Sequence, residues 1–500
     1  MTAQAATIAQ PPYMRPMTTT VLIWFRHDLR LADHPALAAA LATAHSNGAR
    51  VLPVFVWDPD AAGDHAAGGA ARWWLKRSLA ALGADLAARG APLLLARGRA
   101  ETVIPALAAA TDATAVHAGR AVEPWARAQT RRVHEALEAS GRSLNLHTTV
   151  LLREPHGVAS GSGKPYAVYT PFAKALLAAG DPPPCLPAPA AIPGAALPAG
   201  GESLEDLGLH PAPGEPDWAA GFEALWQPGE AGAAARLARF AAGPLAAYDA
   251  QRNLPGIEGS SGLSPHLRWG EVSARQVWHA ARAAARGPGV ETFLKEILWR
   301  EFAYHLLWHR QEMPERNLRT EFDAFPWARD ADLLRAWQRG RTGYPIVDAG
   351  MRQLWQTGWM HNRVRMVAGS LLVKHLLQPW QAGAAWFWDT LVDADLASNS
   401  ASWQWVAGCG TDAAPYFRVF NPVLQGEKFD PEGAYVRRFV PELAKLPAAF
   451  IHKPWDAPPM LLASCGVRLG ASYPRPVVDP AEGRARALAA FAALRRPDAA

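Results

Sequence analysis

The first third of the chain alternates short β-branched or apolar runs with longer segments rich in alanine and leucine. The short runs are VLIWF, VLPVFVW, PLLLA, AVHAG and LNLHTTVLL, and helical patterns such as residues 34–46 and 70–88 separate them. Strands that alternate with helices form βαβ units, in which the strands pair in parallel. The pattern predicts an α/β domain with a doubly wound parallel sheet over residues 18–152.

After Ala231 this strand pattern is lost, and apolar residues recur every three or four positions. The run from Val290 to Leu298 shows this spacing, which marks one face of a helix. Because 500 residues exceed what one hydrophobic core usually holds, two domains are expected. We predict a disordered tail over residues 1–17, an interdomain linker rich in Pro, Ala and Gly over residues 153–230, and an all-α domain over residues 231–500.

Charge and cysteine content narrow the class of protein. Lysine and arginine outnumber aspartate and glutamate by 50 to 45, which gives a formal net charge of +5. This excess favours a basic face for phosphate groups, although a high-GC genome explains the arginine content equally well. The three cysteines form no CxxC pair, and no apolar run reaches the roughly 20 residues of a membrane span. We expect a cytoplasmic monomer without disulfides, a structural metal or a membrane anchor.

Two common nucleotide-binding motifs do not occur in the α/β half of the sequence. No GxGxxG follows its predicted strands. The run SGSGKPY near Gly161 departs from a phosphate-binding loop, because Val158 replaces the first glycine and Pro165 replaces the hydroxyl residue that binds magnesium. We therefore expect no standard dinucleotide or ATP site there.

Residues 342–430 contain much of the polar chemistry of the chain. Tryptophans, carboxylates, amides and arginines recur there at helical spacings, where a core helix would have Leu and Val. Upstream of this segment, Glu296, Trp299 and Arg300 lie three or four residues apart and share one side of a helix. Taken alone, the trio also fits a tryptophan at the edge of the core with its charged neighbours in water.

Two further segments are ambiguous by themselves. Asp393 and Asp395 point in different directions on a helix but can converge from a turn, so their spacing fits a metal pair or a helix cap equally well. The loop EGSSGLS, residues 258–264, offers hydroxyls and glycines that could approach a phosphate, although most such runs are simple loops.

Several longer motifs support a family assignment. They are GYPIVDAGMRQL, GWMHNRVRM, DADLASNSASWQW and TDAAPYFRVFNP in the helical half, and VLIWFRHDLRLADHPAL near the start. With these motifs the chain resembles the photolyase and cryptochrome family of FAD-dependent flavoproteins over nearly its whole length, apart from the Pro/Ala stretch at about residues 181–216. The resemblance implies an antenna-binding α/β domain and an all-α, FAD-binding and catalytic carboxy-terminal domain.

The resemblance implies roles in DNA and lesion binding. The family residue at Glu296 hydrogen-bonds a damaged pyrimidine and the one at Trp299 stacks on it, as a carboxyl and an aromatic ring can. Asn362 would contact flavin and lesion, and Met366 would pack against the dimer. Relatives that repair the 6-4 photoproduct have histidines at these last two positions, so the resemblance favours the cyclobutane dimer. The other implied DNA contacts are Arg252, then Arg363 and Arg418 to phosphate, and Trp405 in the lesion pocket.

The resemblance also implies an FAD site. The hydroxyl and backbone donors of the loop would hold the pyrophosphate, and the aspartates would contact the adenosine and ring portions. Asn399 would lie beside flavin N5, where an amide can tune the proton on that nitrogen. The implied FAD contacts are Tyr248, Ser260, Ser261, Gly262, Leu263, Ser264, Arg300, Asn362, Arg365, Asp393, Ala394, Asp395 and Asn399.

Three tryptophans, Trp403, Trp380 and Trp327, match the chain of rings that runs from flavin to surface in this family. Because any three of 21 tryptophans are easy to select, the match rests on their positions within WQW, LQPW and FPW. Such rings can pass an electron to photoexcited flavin and return it to the reduced state.

An antenna chromophore, either a folate or a deazaflavin, is implied as a second cofactor. In the folate type an Asn-Glu pair aligns with Trp125 and Ala126, so that carboxylate is missing unless Glu123 substitutes for it. EPWARAQ and SGSGKPYAVYTPF resemble deazaflavin-type members somewhat more, and the two possibilities stay open.

The predicted function is that of a deoxyribodipyrimidine photo-lyase, a carbon–carbon lyase that repairs cyclobutane pyrimidine dimers in DNA. Photoexcited reduced FAD would donate an electron to a flipped-out lesion. The alternative is a cryptochrome-type blue-light photoreceptor that signals through protein partners. Cryptochromes often lose the lesion contacts, whereas Glu296, Trp299, Asn362 and Met366 are all present here. A dark flavin oxidoreductase would need a nicotinamide fingerprint, and the sequence has none.

Overall fold

The computed structural model describes residues 19–209, 214, 216–412 and 418–494, and it begins with five strands separated by helices. In chain order the elements are β1 (Thr20–Phe25), α1 (Pro35–Asn47), β2 (Arg50–Trp57), α2 (Gly69–Ala87), β3 (Leu94–Arg97), α3 (Ala100–Ala110), β4 (Ala113–Gly119), α4 (Pro124–Glu138) and β5 (Ser143–His147). The strands pair in parallel in the order β3-β2-β1-β4-β5. The predicted doubly wound α/β sheet is confirmed, except that β5 is shorter than the run LNLHTTVLL.

Both faces of the sheet are covered, because alternate side chains of β1 enter two different clusters. Val21, Ile23 and Phe25 pack on one face, and Leu22 and Trp24 pack on the other. All five are buried. This two-sided burial is typical of parallel sheets and explains why the strands read as continuous apolar runs.

The segment predicted as a linker packs on both domains. Helix α5 (Tyr169–Ala178) buries Phe172 and Leu176 among the carboxy-terminal helices. From residue 181 to 209 the described chain forms no helix, yet Ile192 and Leu207 are buried beside the sheet. Apolar residues among the prolines therefore anchor this connector to the sheet, through contacts that composition alone does not reveal. The tail predicted over residues 1–17 lies outside the described residues.

The carboxy-terminal part is helical, as predicted. Its helices are α6 (Ala220–Glu223), α7 (Glu230–Ala242), α8 (Tyr248–Gln251), α9 (Ser264–Arg268), α10 (Ala274–Ala284), α11 (Pro288–His309), α12 (Ala331–Gln338), α13 (Pro345–Thr357), α14 (Asn362–Ser370), α15 (Trp380–Thr390), α16 (Leu396–Ala407), α17 (Pro422–Phe429), α18 (Ala434–Phe439), α19 (Ala448–Ile451), α20 (Pro459–Ser464) and α21 (Pro480–Ala493). Within the described ranges, none of the helices combines the length and the apolar character that a membrane crossing requires.

Local sequence signals set the ends of α16, which borders the site described below. The Asp395 carboxylate accepts the backbone N–H of Ser398 at 2.7 Å and caps the first turn. Gly408 ends the helix in the left-handed conformation with φ 91°, where glycine is unstrained. The helix-cap interpretation of the DAD segment therefore holds for Asp395.

The apolar core of the helical domain divides into two clusters with a cavity at their seam. Phe387 and Trp403 belong to one cluster, and Phe293 and Ile297 belong to the other. Side chains from both clusters line the same cavity. The fold thus places a pocket where the two groups of helices meet.

A buried polar joint connects the two domains. The Arg30 guanidinium donates to the carbonyl oxygens of Gly270 and Asp33 at 2.9 and 2.6 Å. The Ser273 hydroxyl donates to Asp33 Oδ2 at 2.5 Å. Ser273 also forms a capping box with Gln276 at the start of α10. One serine therefore stabilises both a helix end and the domain contact.

Replacing Ser273 by alanine is expected to lower the free energy of unfolding by about 1–3 kcal/mol, because it removes an N-cap and a donor to a buried carboxylate. Urea unfolding followed by circular dichroism measures this loss. Ser464→Ala is the matched control, since the Ser464 hydroxyl donates only within its own helix and is exposed. Equal losses for both variants would contradict the role of the joint.

Candidate functional site

The cavity at the seam has a volume of about 540 Å³. This lies within the roughly 300–1,000 Å³ that is usual for ligand sites. The structure brings most of the residues predicted for flavin and lesion to its walls. They are Tyr248, Arg252, Ser261, Ser264, Glu296, Trp299, Arg300, Asn362, Arg365, Met366, Asp393, Ala394, Asp395, Asn399, Trp403 and Trp405.

Three residues of the predicted phosphate loop, Ser260, Gly262 and Leu263, do not border this cavity. Leu263 is buried in the apolar core just before α9. Gly262 has φ 61°, and a Cβ built there would lie 2.6 Å from an Arg236 nitrogen. The loop therefore turns Ser261 and Ser264, rather than all five residues, toward the cavity.

Asp393 and Arg365 form a salt bridge at the cavity wall. Arg365 Nη2 donates to Asp393 Oδ2 at 2.8 Å, and Arg365 Nε donates to the Met360 carbonyl at 2.8 Å. The second carboxylate oxygen, Asp393 Oδ1, is buried without a hydrogen-bond partner among the described residues. Buried acceptors are normally satisfied, so this oxygen is suited to a ligand donor.

Asp395 accepts a second hydrogen bond, from the hydroxyl of Tyr304. Burial raises the pKa of Tyr304 well above its ordinary value, so the phenol stays protonated and donates. The Arg300 guanidinium lies 4.6 Å from the centre of the Tyr304 ring. Sequence reasoning missed Tyr304, although Glu296, Arg300 and Tyr304 follow one another at a spacing of four along α11, and extending that spacing would have found it.

Asn399 lies in the first turns of α16 and faces the cavity. Its amide nitrogen donates to the carbonyl of Ala384 on α15 at 3.1 Å. Because that donor is engaged, the orientation of the carboxamide is fixed by the neighbouring helix.

Glu296 forms an ion pair with Arg252 at the cavity wall. Burial raises the pKa of Glu296, and the neighbouring guanidinium lowers it by a smaller amount. The side chain can therefore gain a proton more readily than an ordinary glutamate and act as a hydrogen-bond donor as well as an acceptor.

Arg252, Arg363 and Arg418 form a group that we call the arginine cluster. Burial lowers the pKa of Arg363, and repulsion from Arg252 and Arg418 lowers it further, as expected for neighbouring cations. Arg363 is held by Asn253 Oδ1, at 2.7 Å from its Nη2, and by the ring of Phe429 at 4.5 Å. Arg363 and Arg418 are not among the residues that line the cavity, so this positive charge lies beside it.

The three predicted relay tryptophans occupy different places in the helical domain. Trp403 lines it, and a Cβ built on Gly383 of α15 would lie 2.2 Å from the Trp403 ring. Trp380 begins the same helix, is fully buried, and donates its indole N–H to Asn317 Oδ1 at 2.8 Å. Trp327 lines an outer groove together with Pro379. The role of these three rings as an electron relay stays a prediction.

Comparisons with known proteins were made for both domains. Residues 21–190 match the family model for DNA photolyase, and residues 293–493 match the model for the FAD binding domain of DNA photolyase. A deoxyribodipyrimidine photo-lyase of Agrobacterium fabrum is 48% identical over 96% of this chain and 99% of its own length. This chain belongs to the photolyase and cryptochrome family.

The family contains both of the predicted functional types. Cryptochrome-1 of Arabidopsis thaliana is 38% identical over 93% of this chain and 69% of its own length. The crystal structure of a bacterial class III photolyase from Agrobacterium tumefaciens superimposes with a TM-score of 0.91 at 46% identity, covering 98% of this chain and 100% of that one. The predicted family and two-domain fold class are thus confirmed, and the helical domain is an FAD-binding domain.

The polar groups at the cavity of this photolyase-family chain fit FAD in their chemistry. Asp393 Oδ1 offers a buried acceptor without a donor of its own. Ser261 and Ser264 offer hydroxyl donors, and Arg365 offers a cation, at the same walls. These groups suit the adenosine, phosphate and ring portions of a dinucleotide flavin.

A smaller cavity of about 120 Å³ lies beside the α/β sheet and is lined by Trp125, Ala126 and Glu123. The Glu123 carboxylate is 3.3 Å from an Arg268 nitrogen and 3.4 Å from His27 Nδ1. It is therefore engaged in a polar contact between the two domains, which disfavours its use as the carboxylate of a folate-type antenna site.

Proposed function

We propose that this protein repairs cyclobutane pyrimidine dimers in DNA by light-driven electron transfer from reduced FAD to a flipped-out lesion. The coarser activity, photolyase-type DNA repair, follows from the family and from relatives named deoxyribodipyrimidine photo-lyase. One observation supports the finer proposal. A single cavity brings Glu296 and Trp299 together with Asp393 and Asn399, so the groups suited to a lesion and to a flavin share one space.

Ser261, Ser264, Arg365, Asp393 and Asn399 would hold FAD in this cavity. When bound, FAD supplies a light-excited electron donor. The Arg365–Asp393 salt bridge holds both charged side chains in place at the cavity wall in the protein without ligand. Such preorganised polar groups bind a charged ligand without the cost of rearrangement.

Trp299 and Trp405 would offer ring faces to the flipped pyrimidines, and Met366 would pack against them. All three line the cavity. Glu296 would hydrogen-bond the edge of a base. When protonated, its carboxyl would donate to an acceptor atom of the base, and when ionised it would accept from a base N–H. Asn362 would contact both lesion and flavin through its amide.

The arginine cluster would bind the DNA backbone. Three guanidinium groups near one another attract phosphates, and this contribution is independent of the base sequence. Arg252 is paired with Glu296 in the protein alone. Contact with a phosphate would therefore compete with this ion pair at the same moment that Glu296 meets the lesion.

A second chromophore, a folate or a deazaflavin, stays a prediction. The cavity beside the sheet, at about 120 Å³, is smaller than the roughly 300 Å³ at which ordinary ligand sites begin. Only part of such a chromophore would fit inside it, and the remainder would lie at the surface.

The deciding experiment is a repair assay. The purified protein, chemically reduced under argon, is illuminated with blue light in the presence of a duplex that contains one thymine dimer. We expect loss of the dimer in the light and none in the dark. A flavin-bound, reduced protein that leaves the dimer intact would contradict the proposal and favour the cryptochrome alternative.

Replacing Glu296 by alanine is expected to lower the number of dimers repaired per absorbed photon roughly two- to tenfold, the loss equivalent to one hydrogen bond of about 0.5–1.5 kcal/mol. FAD content should be unchanged. Glu296→Gln, which retains a polar group of the same shape, should lose less. Repair yields equal to that of the unmodified protein in both variants would remove Glu296 from the lesion site.

A further inference from the structure

Trp299 is stacked on a second aromatic ring outside the cavity. The ring of Tyr169 lies parallel to the indole of Trp299, with ring centres 3.6 Å apart and planes 4° apart. Trp299 lines the cavity and is 38% exposed, whereas Tyr169 is not among the cavity-lining residues. Tyr169 therefore supports Trp299 from outside the cavity.

Tyr169 is itself fixed at three points. It is the first residue of α5, and its backbone N–H donates to Asp412 Oδ2 at 3.1 Å. Its hydroxyl donates to the Lys295 carbonyl, one turn before Trp299 on α11, at 3.1 Å. Its ring meets the edge of Phe302 with centres 6.0 Å apart. The supporting ring is anchored to the same helix as the ring it supports.

Burial, together with the nearby Glu296 carboxylate, raises the pKa of Tyr169 to about 12. The phenol therefore stays protonated throughout the pH range in which the protein would work. Its hydrogen bond to the Lys295 carbonyl is accordingly insensitive to pH.

We propose that Tyr169 is a positioning residue that holds Trp299 in the orientation needed to stack on a pyrimidine dimer, and that it thereby increases the preference for damaged over undamaged DNA. The inference rests on the proposed function. A partly exposed tryptophan without a stacked neighbour samples several rotamers and loses that freedom when a base stacks on it. Stacking on Tyr169 removes this freedom beforehand, which is the general advantage of preorganisation.

The effect should be confined to damaged DNA. Contacts from the arginine cluster to phosphates are the same for damaged and undamaged duplexes. Trp299 lines the cavity, where a flipped-out nucleotide would stack on it. Loosening Trp299 therefore weakens lesion binding without changing the affinity for undamaged duplex.

The test compares equilibrium affinities in the dark, by fluorescence anisotropy, for a thymine-dimer duplex and the identical undamaged duplex. The variants of the FAD-bound protein are Tyr169→Ala and Tyr169→Phe. Tyr166→Ala is the matched control, because Tyr166 precedes α5 in the same segment and its ring meets Phe172 and His305. If Tyr169→Ala loses FAD, Tyr169→Leu, which has apolar bulk but no ring face, takes its place.

We expect Tyr169→Ala to lower affinity for the dimer duplex about two- to tenfold, the range that one lost aromatic contact predicts. Affinity for the undamaged duplex should not change, and Tyr169→Phe should restore the preference because it retains the ring. Equal losses for both duplexes, or a preference in Tyr169→Ala equal to that in Tyr166→Ala, would overturn the inference. A parent protein that binds both duplexes equally would instead refute the proposed function, and the inference with it.

Discussion

Replacing Asp393 by alanine is expected to lower FAD affinity at least about tenfold, because a hydrogen bond from the ligand to a charged carboxylate contributes about 1.5–3 kcal/mol. The substitution removes the buried oxygen that has no hydrogen-bond partner in the described part of the chain, and it leaves Arg365 without its carboxylate. Flavin affinity is measured by reconstituting the apoprotein and titrating the quenching of flavin fluorescence.

Glu442→Ala is the matched control for Asp393. Glu442 and Arg352 form a similar salt bridge at 2.8 Å in the same domain, and neither residue lines the cavity. This variant should lose some stability and keep its FAD affinity. If Asp393→Ala binds FAD as tightly as Glu442→Ala does, the carboxylate is not a flavin ligand.

Replacing Trp380 by phenylalanine is expected to slow photoreduction of bound FAD by at least about tenfold. A phenyl ring is much harder to oxidise than an indole, and each added 1.36 kcal/mol of barrier slows a step about tenfold. Repair by chemically reduced protein should be unaffected, because Trp380 lies behind Trp403 and does not line the cavity. The photoreduction rate is measured from flavin absorbance under blue light in the presence of an external reductant. Repair by chemically reduced protein is measured with the repair assay.

The control for this variant is Trp278→Phe. Trp278 is also buried and donates its indole N–H to a side chain, Asp181, at 3.1 Å, but it belongs to the other apolar cluster. Both variants lose one indole hydrogen bond, so their stabilities should fall by similar amounts. Photoreduction in Trp380→Phe as fast as in Trp278→Phe would contradict the relay.

Sequence reasoning predicted most of the fold because its signals are local. The run that became β1 is apolar on both faces, and the later helices show clear spacing of three and four. The packing of the predicted linker could not be predicted from local signals. Burial of Ile192 and Leu207 depends on surfaces more than a hundred residues away, on β2 and α2, which a local reading of composition does not include.

The sequence predicted which residues belong to the site better than it predicted the contacts between them. Long motifs identified the flavin and lesion positions, and the structure brings most of them to one cavity. Tyr304 and Tyr169 were not predicted, because their importance comes from partners distant in sequence. The partner of Tyr304 is Asp395, 91 positions away, and that of Tyr169 is Trp299, on a helix of the other domain.

Arg268 and Ala394 line both the large cavity and the small one beside the sheet. The Arg268 side chain spans the partition, with Nε 2.6 Å from the Ala394 carbonyl and another nitrogen 3.3 Å from Glu123. Arg268 and Ala394 thus form part of the wall of both cavities. A substitution at either residue is expected to change the shape of the two cavities together.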